Sequence, residues 1–186
     1  DSLPEDVIVY AETSVMKIFL EEIEKTDRYP YMCNEQMASK LKALLAKKQI
    51  YSFTGTDFKE DRKIKNLISQ INKNRNEDNL WGWWNNSKTE IWISKQVMEA
   101  LLDAQDKGYK VEISPEEVIS ALKYELNRKM PASDKTSERQ SILKNELLDI
   151  LILLKKLDAK LDYTRYMEFI SLLESNSLNG KLKTTE

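Results

Sequence analysis

The sequence predicts an all-α fold of about seven helices, and three observations carry that prediction. Gly and Pro occur four times each in 186 residues, which leaves few positions that break a helix. Apolar residues recur at helical spacing through most of the chain. Residues suited to capping stand where those apolar stripes begin. Residues 7–10 are the one β-like run, and they are compatible with the start of a helix.

The first helix is expected over about residues 12–25, with Val15, Ile18, Phe19 and Ile23 on one face. Residues 26–32 break it, with Pro30 between Tyr29 and Tyr31. Asn34 is a good N-cap for a second helix, with Glu35 and Gln36 in its first turn. Met37, Leu41, Leu44 and Leu45 form its apolar stripe, and Lys47 and Lys48 suit its C-terminus. A third helix is expected from Thr56 and Asp57, where Asp57 and Glu60 have capping-box spacing and Ile64, Leu67, Ile68 and Ile71 follow.

Residues 72–88 read as a polar loop with six asparagines, interrupted by Trp81, Gly82, Trp83 and Trp84. Ser87 and Glu90 make a capping-box pattern that opens a fourth helix. Its inner face is marked by Ile91, Ser94, Met98, Leu101, Leu102 and Gln105, and Gly108 is its stop. Ser114-Pro115-Glu116-Glu117 opens a fifth helix, which carries Val118, Ile119, Leu122 and Leu126 and ends before Pro131. Ser137 with Gln140 opens a sixth, running to about Leu157. Asp162 opens a seventh with Tyr166, Phe169, Ile170 and Leu173, and Asn179 and Gly180 end the pattern.

Composition limits what the chain does. Hydrophobic residues make up 41% and charged residues 32%, the balance of one globular domain over 1–186. Net charge is −2, from 29 basic and 31 acidic residues well mixed, so no basic field for nucleic acid is present. No apolar run reaches the roughly 18 residues of a membrane helix. The single cysteine, Cys33, excludes an internal disulfide and a cysteine-built zinc site. The absence of histidine excludes Ser-His and Cys-His catalysis and histidine metal sites. No metal and no cofactor is expected. The chain starts at Asp1, which fits either a processed or an excised piece.

The segment Tyr29-Pro30-Tyr31-Met32-Cys33-Asn34-Glu35-Gln36 is the most specific part of the sequence. Residues three apart at a helix start sit side by side. That places the Cys33 sulfur beside the Gln36 side-chain carbonyl. Cys-x-Glu-Gln resembles the internal thioester motif of the alpha-2-macroglobulin family, which implies that the sulfur attacks that carbonyl, expels ammonia and leaves a thioester. Such an electrophile needs apolar shelter from water, for which Tyr29, Tyr31, Met32 and the tryptophan-rich loop are candidates. Glu35 and the first-turn N–H groups are placed to stabilise local charge.

Cys-x-Glu-Gln, the preceding Tyr-Pro-Tyr and the following Met37-Ala38-Ser39-Lys40-Leu41 resemble the bacterial branch of the alpha-2-macroglobulin family, which is related to complement components. A second, looser match is Asp78-Asn79-Leu80-Trp81-Gly82-Trp83-Trp84 with the helix after it, through Glu99-Ala100-Leu101-Leu102-Asp103-Ala104 to Gly108 and Tyr109. The resemblance implies an α/α toroid (a terpenoid cyclase-like helical barrel), here partial, cut from a much larger multidomain protein. It implies a thioester-type domain of an endopeptidase inhibitor that traps proteases through their lysine amines and turns over nothing. Other domains of the parent chain would be its further partners. It also implies a periplasmic or cell-surface location, with the parent anchored by lipid.

Two positions depart from the family pattern. Met32 stands where the family usually has Gly, and Asn34 stands where complement relatives have Gly. No histidine is available to redirect a thioester toward hydroxyls, which implies direct reaction with amines. Two alternatives remain. One is a scaffold of the same family without a live thioester. The other is an α/α-toroid enzyme, which would place two acidic residues across a deep central cavity.

Overall fold

A computed structural model describes residues 15–129, 137–164, 166–168 and 170–171. They form an all-α helical bundle: α1 (Val15–Arg28), α2 (Asn34–Thr54), α3 (Asp61–Lys73), α4 (Ile91–Asp106), α5 (Pro115–Lys129) and α6 (Ser137–Lys156). Residues 163–164, 166–168 and 170–171 are helical too, where the seventh helix was expected. No strand occurs among the described residues. Expectations that fall on residues 1–14, Pro131, Phe169, Leu173, Asn179 and Gly180 lie outside the described residues.

The core grows from the predicted stripes. Met37, Leu41, Leu44 and Leu45 of α2 meet Ile64, Leu67, Ile68 and Ile71 of α3 and Ile93, Val97, Met98 and Leu101 of α4. Val118, Leu122 and Leu126 of α5 and Leu147, Ile150, Leu151 and Leu154 of α6 extend the same cluster. Helix α2 packs against α1, α3 and α4, α4 packs against α6, and α6 packs against α5. The principal contacts thus centre on α2 and continue through α4 and α6 to α5. Burial of these side chains is the dominant favourable term in such a bundle.

Several boundaries differ from the sequence expectation, each for a physical reason. Helix α1 continues to Arg28, with Arg28 bonded to Glu24 one turn back. Cys33, not Asn34, is the N-cap of α2, and Asn34 is its first helical residue. Helix α2 does not stop at Lys47 and Lys48 but runs to Thr54. It ends where Gly55, at φ 67°, takes the left-handed conformation and returns its N–H to the last turn. Helix α3 begins at Asp61 rather than at Thr56 or Asp57, because its start is pinned from α2. Lys47 donates to Glu60 at 2.6 Å and Lys48 to Asp61 at 2.8 Å. Helix α4 is preceded by Glu90, while Ser87 closes a turn on Trp84 instead of capping. Helix α5 starts as expected, with Ser114 Oγ accepting the Glu117 N–H at 3.3 Å.

Ion pairs between helices carry an acid dependence. The hydrogen bond from Lys47 holds the Glu60 carboxyl below its ordinary value. Hydrogen bonds from Lys48 and the Tyr109 hydroxyl do the same for Asp61. Burial pushes Glu99 up, but its bonds from Lys156 and Lys42 outweigh that and leave it lowered. These carboxylates stay charged to lower pH when folded than when unfolded. Their contribution is therefore whole above the ordinary carboxylate range, near about pH 4, and is lost as pH falls through the lower folded values. The urea midpoint is expected to fall between pH 5 and pH 3, less steeply in Lys47→Met; a midpoint constant over that range would contradict this assignment.

Candidate functional site

The N-terminal end of α2 and the loop between α3 and α4 form one unit. The Asn34 N–H donates to the Trp83 carbonyl at 2.9 Å. Its side-chain amide donates to the Gly82 carbonyl, also at 2.9 Å, and its Oδ1 accepts from Asn74 Nδ2 at 2.9 Å. Asn34 is wholly buried, so these bonds replace water that its amide has lost. Its expected capping role is thus corrected. The Asn34 side chain reaches across to the loop instead of turning back on its own helix.

The asparagine-rich loop is ordered by its own amides. Asn76 Oδ1 accepts the N–H groups of Asp78 and Leu80, and Asn76 Nδ2 donates to Ser87 O and Thr89 Oγ1. Asn79 and Asn86 sit at φ 59° and 58°, a left-handed region that asparagine tolerates better than most residues. Gly82 allows the closest approach. A Cβ there would lie 2.0 Å from the Lys88 carbonyl oxygen and 2.4 Å from Ser87 Oγ.

The three tryptophans of the loop separate. Trp81 is fully buried in the core, its indole N–H donating to the Ile71 carbonyl at 2.9 Å. Its backbone is held on both sides by Ser94 of α4. Trp83 and Trp84 are each about half exposed, and Trp83 meets Trp92 edge to face with centroids 5.2 Å apart. Tyr29, Tyr31 and Met32 are also exposed, the two tyrosine rings 5.5 Å apart. The residues expected to shelter Cys33 therefore turn much of their apolar surface to solvent.

Cys33 is a buried free thiol. As N-cap it stands three residues before Gln36, and its carbonyl accepts the Met37 N–H at 2.9 Å. That is capping-box spacing, in which the two side chains share one turn. The Gln36 amide, however, donates to Glu35 Oε2 at 2.8 Å, and the other Glu35 oxygen accepts from Ser39 Oγ at 3.1 Å. Glu35 thus ties Gln36 and Ser39 together in the first turns of α2.

Asn74 and Trp92 help hold this unit and were not singled out from the sequence. Ser94 was expected only as part of the inner face of α4, and Lys40 only within the family-like run after Gln36. Lys40 is buried, and its ammonium donates to the Tyr29 carbonyl at 2.6 Å and to Met32 Sδ at 3.5 Å. It lines an open pocket of about 180 Å³ with Met32, Asn66, Leu67, Gln70 and the Asp27–Lys63 ion pair. The signal for it was a lysine two helical turns after Cys33, beside Leu41 of the buried stripe.

A wider groove of about 400 Å³ lies between the loop and α5, with Asp78, Glu116, Glu117 and Glu125 on its walls. Arg75 pairs with Glu117, and Arg128 and Lys129 pair with Glu125. Among the described residues no group of three or more His, Cys, Asp or Glu is placed to hold a metal ion. No described helix is long and apolar enough to cross a membrane.

These features define an all-α bundle with a loop-locked, buried cysteine at a helix start. No protein-family profile matches the chain, and no curated protein matches it. Among solved structures the chain is similar to the native conformation of E. coli alpha-2-macroglobulin, seen by cryo-EM, at 19% identity and a TM-score of 0.49. The similarity covers 84% of this chain and 12% of that one.

Proposed function

We propose that the chain is a helical scaffold and interaction module of a larger protein built like the alpha-2-macroglobulins, with Cys33 remaining a thiol. The observation that carries this reading is that Cys33 is a buried free thiol and the Gln36 amide is bonded to a neighbouring carboxylate. Cys33 lies at the N-cap, and the carboxylate is that of Glu35. The exposed Trp83, Trp84, Tyr29 and Tyr31 give the same end of the module an aromatic face for other domains of its parent.

A second reading keeps the thioester alive, and the spacing of Cys33 at the N-cap and Gln36 three residues on favours it. The Cys33 S–H adds to the Gln36 carboxamide, the C–N bond breaks, ammonia leaves with the thiol proton, and a thioester remains. An amine such as a protease lysine then attacks the carbonyl, forms an amide at Gln36 and returns the Cys33 thiol. In this reading the module is a partial helical toroid of an envelope protein that captures proteases without turnover.

Intact mass separates the two. The scaffold reading expects the full unmodified mass, with one thiol titrated in the folded protein and no change on adding methylamine. A mass short by one ammonia, restored by methylamine at Gln36 and absent in Cys33→Ala, would replace it with the thioester reading. The same measurement on the full-length parent extends the answer to a site sheltered by neighbouring domains.

A further inference from the structure

We propose that Lys40 is a latch, a positioning residue whose ammonium holds segment 29–32 against α2 and so controls access to Cys33. The inference rests on Cys33 being the group that the proposed function keeps enclosed.

Lys40 is 7% exposed. A buried ammonium is costly unless its N–H groups find acceptors. Among the described residues, no carboxylate lies within salt-bridge distance of Lys40 Nζ. Its acceptors are instead the Tyr29 carbonyl at 2.6 Å and Met32 Sδ at 3.5 Å. Both belong to the segment that leads into Cys33. A charge-assisted bond to a backbone carbonyl is among the stronger ties a helix can make to a non-helical neighbour.

That segment has few other restraints. Residues 29–33 are outside any helix, and Tyr29 makes one backbone bond, its N–H to Thr26 O at 3.3 Å. Tyr29, Tyr31 and Met32 are exposed on their outer side. Beyond Cys33 the chain is fixed again by the bonds of Asn34 to the loop. Cys33 therefore sits between a firm anchor at Asn34 and a segment whose side-chain hydrogen bonds to α2, among the described residues, come from Lys40. An open pocket of about 180 Å³ borders Lys40 and Met32, so solvent reaches the edge of this segment. Release of the Lys40 bond removes its main polar tie while leaving the helix core intact.

The test is the rate at which a small thiol reagent modifies Cys33, read by mass in the folded chain. In the unaltered protein, the rate is expected to be insensitive to low urea, as for a local opening. A rate that follows global unfolding with its full urea dependence overturns the proposal, and this arm does not require any variant to fold. In Lys40→Met, checked for native helicity, modification is expected to be faster by about tenfold or more, the effect of losing one charge-assisted bond. Lys40→Arg, which retains a cationic donor, is expected to stay close to the unaltered rate. An unchanged rate in a folded Lys40→Met overturns the proposal. If Cys33 proves to be in a thioester, methylamine incorporation at Gln36 reports the same opening. The scaffold reading then fails on mass while the latch is still judged on rate.

Discussion

Trp81→Ala is expected to lower the stability of the folded chain by about 3–5 kcal/mol, the range for deleting a large aromatic ring from a packed core. Trp81 has no exposed surface, and its ring lies in the same cluster as Ile71, Leu80 and Ile91. The substitution also leaves the Ile71 carbonyl without its indole donor, which adds a desolvation cost to the cavity. Urea unfolding followed by helicity measures the effect. Trp81→Phe should recover much of the packing but not the hydrogen bond. Trp84→Ala, a few positions on, should shift stability by no more than about 0.5 kcal/mol because Trp84 lies at the surface, about half exposed. Equal losses for Trp81→Ala and Trp84→Ala would contradict the division of the loop into a buried and an exposed part.

Asn34→Ala should cost about 2–3 kcal/mol, since it strands the buried Gly82 carbonyl and removes the acceptor of the partly buried Asn74 amide. The effect should reach beyond stability. The loop that carries Trp83 and Trp84 is tied to α2 through this side chain and through the neighbouring backbone bond to Trp83. Emission from the exposed tryptophans should therefore change in Asn34→Ala even under conditions where the helices persist. Asn34→Asp should be no gentler. A carboxylate accepts from Asn74 but has no N–H for Gly82, and it brings a charge into a wholly buried position. A stable Asn34→Asp variant with unaltered tryptophan emission would mean that the loop is held by other contacts.

Much of the helical framework was legible because its signals are local. The stripe Ile64, Leu67, Ile68 and Ile71 lies on one face of α3 by spacing alone, and all four side chains are buried as that spacing requires. Ser114 and Pro115 start α5 because both act on the backbone within one turn. Where local signals competed, tertiary contacts chose between them. Asp57 and Glu60 offered a cap, but Lys47 and Lys48 drew Glu60 and Asp61 to α2 and set the start of α3 there. Ser87 and Glu90 offered another, but Ser87 was taken by its turn with Trp84.

The candidate site divides the same way. The sequence by itself determined that Cys33 and Gln36 share one turn, that the chain is helical, and that histidine chemistry is absent, because each follows from identity and short spacing. Only the tertiary structure decided that Asn34 is a buried tie rather than a cap, that Trp81 points inward while Trp83 and Trp84 stay outside, and that Lys40 lies beneath the segment before Cys33. The reason is distance along the chain. Asn34 and Gly82 are 48 residues apart, and the fate of each amide depends on which distant carbonyl the folded core brings within reach.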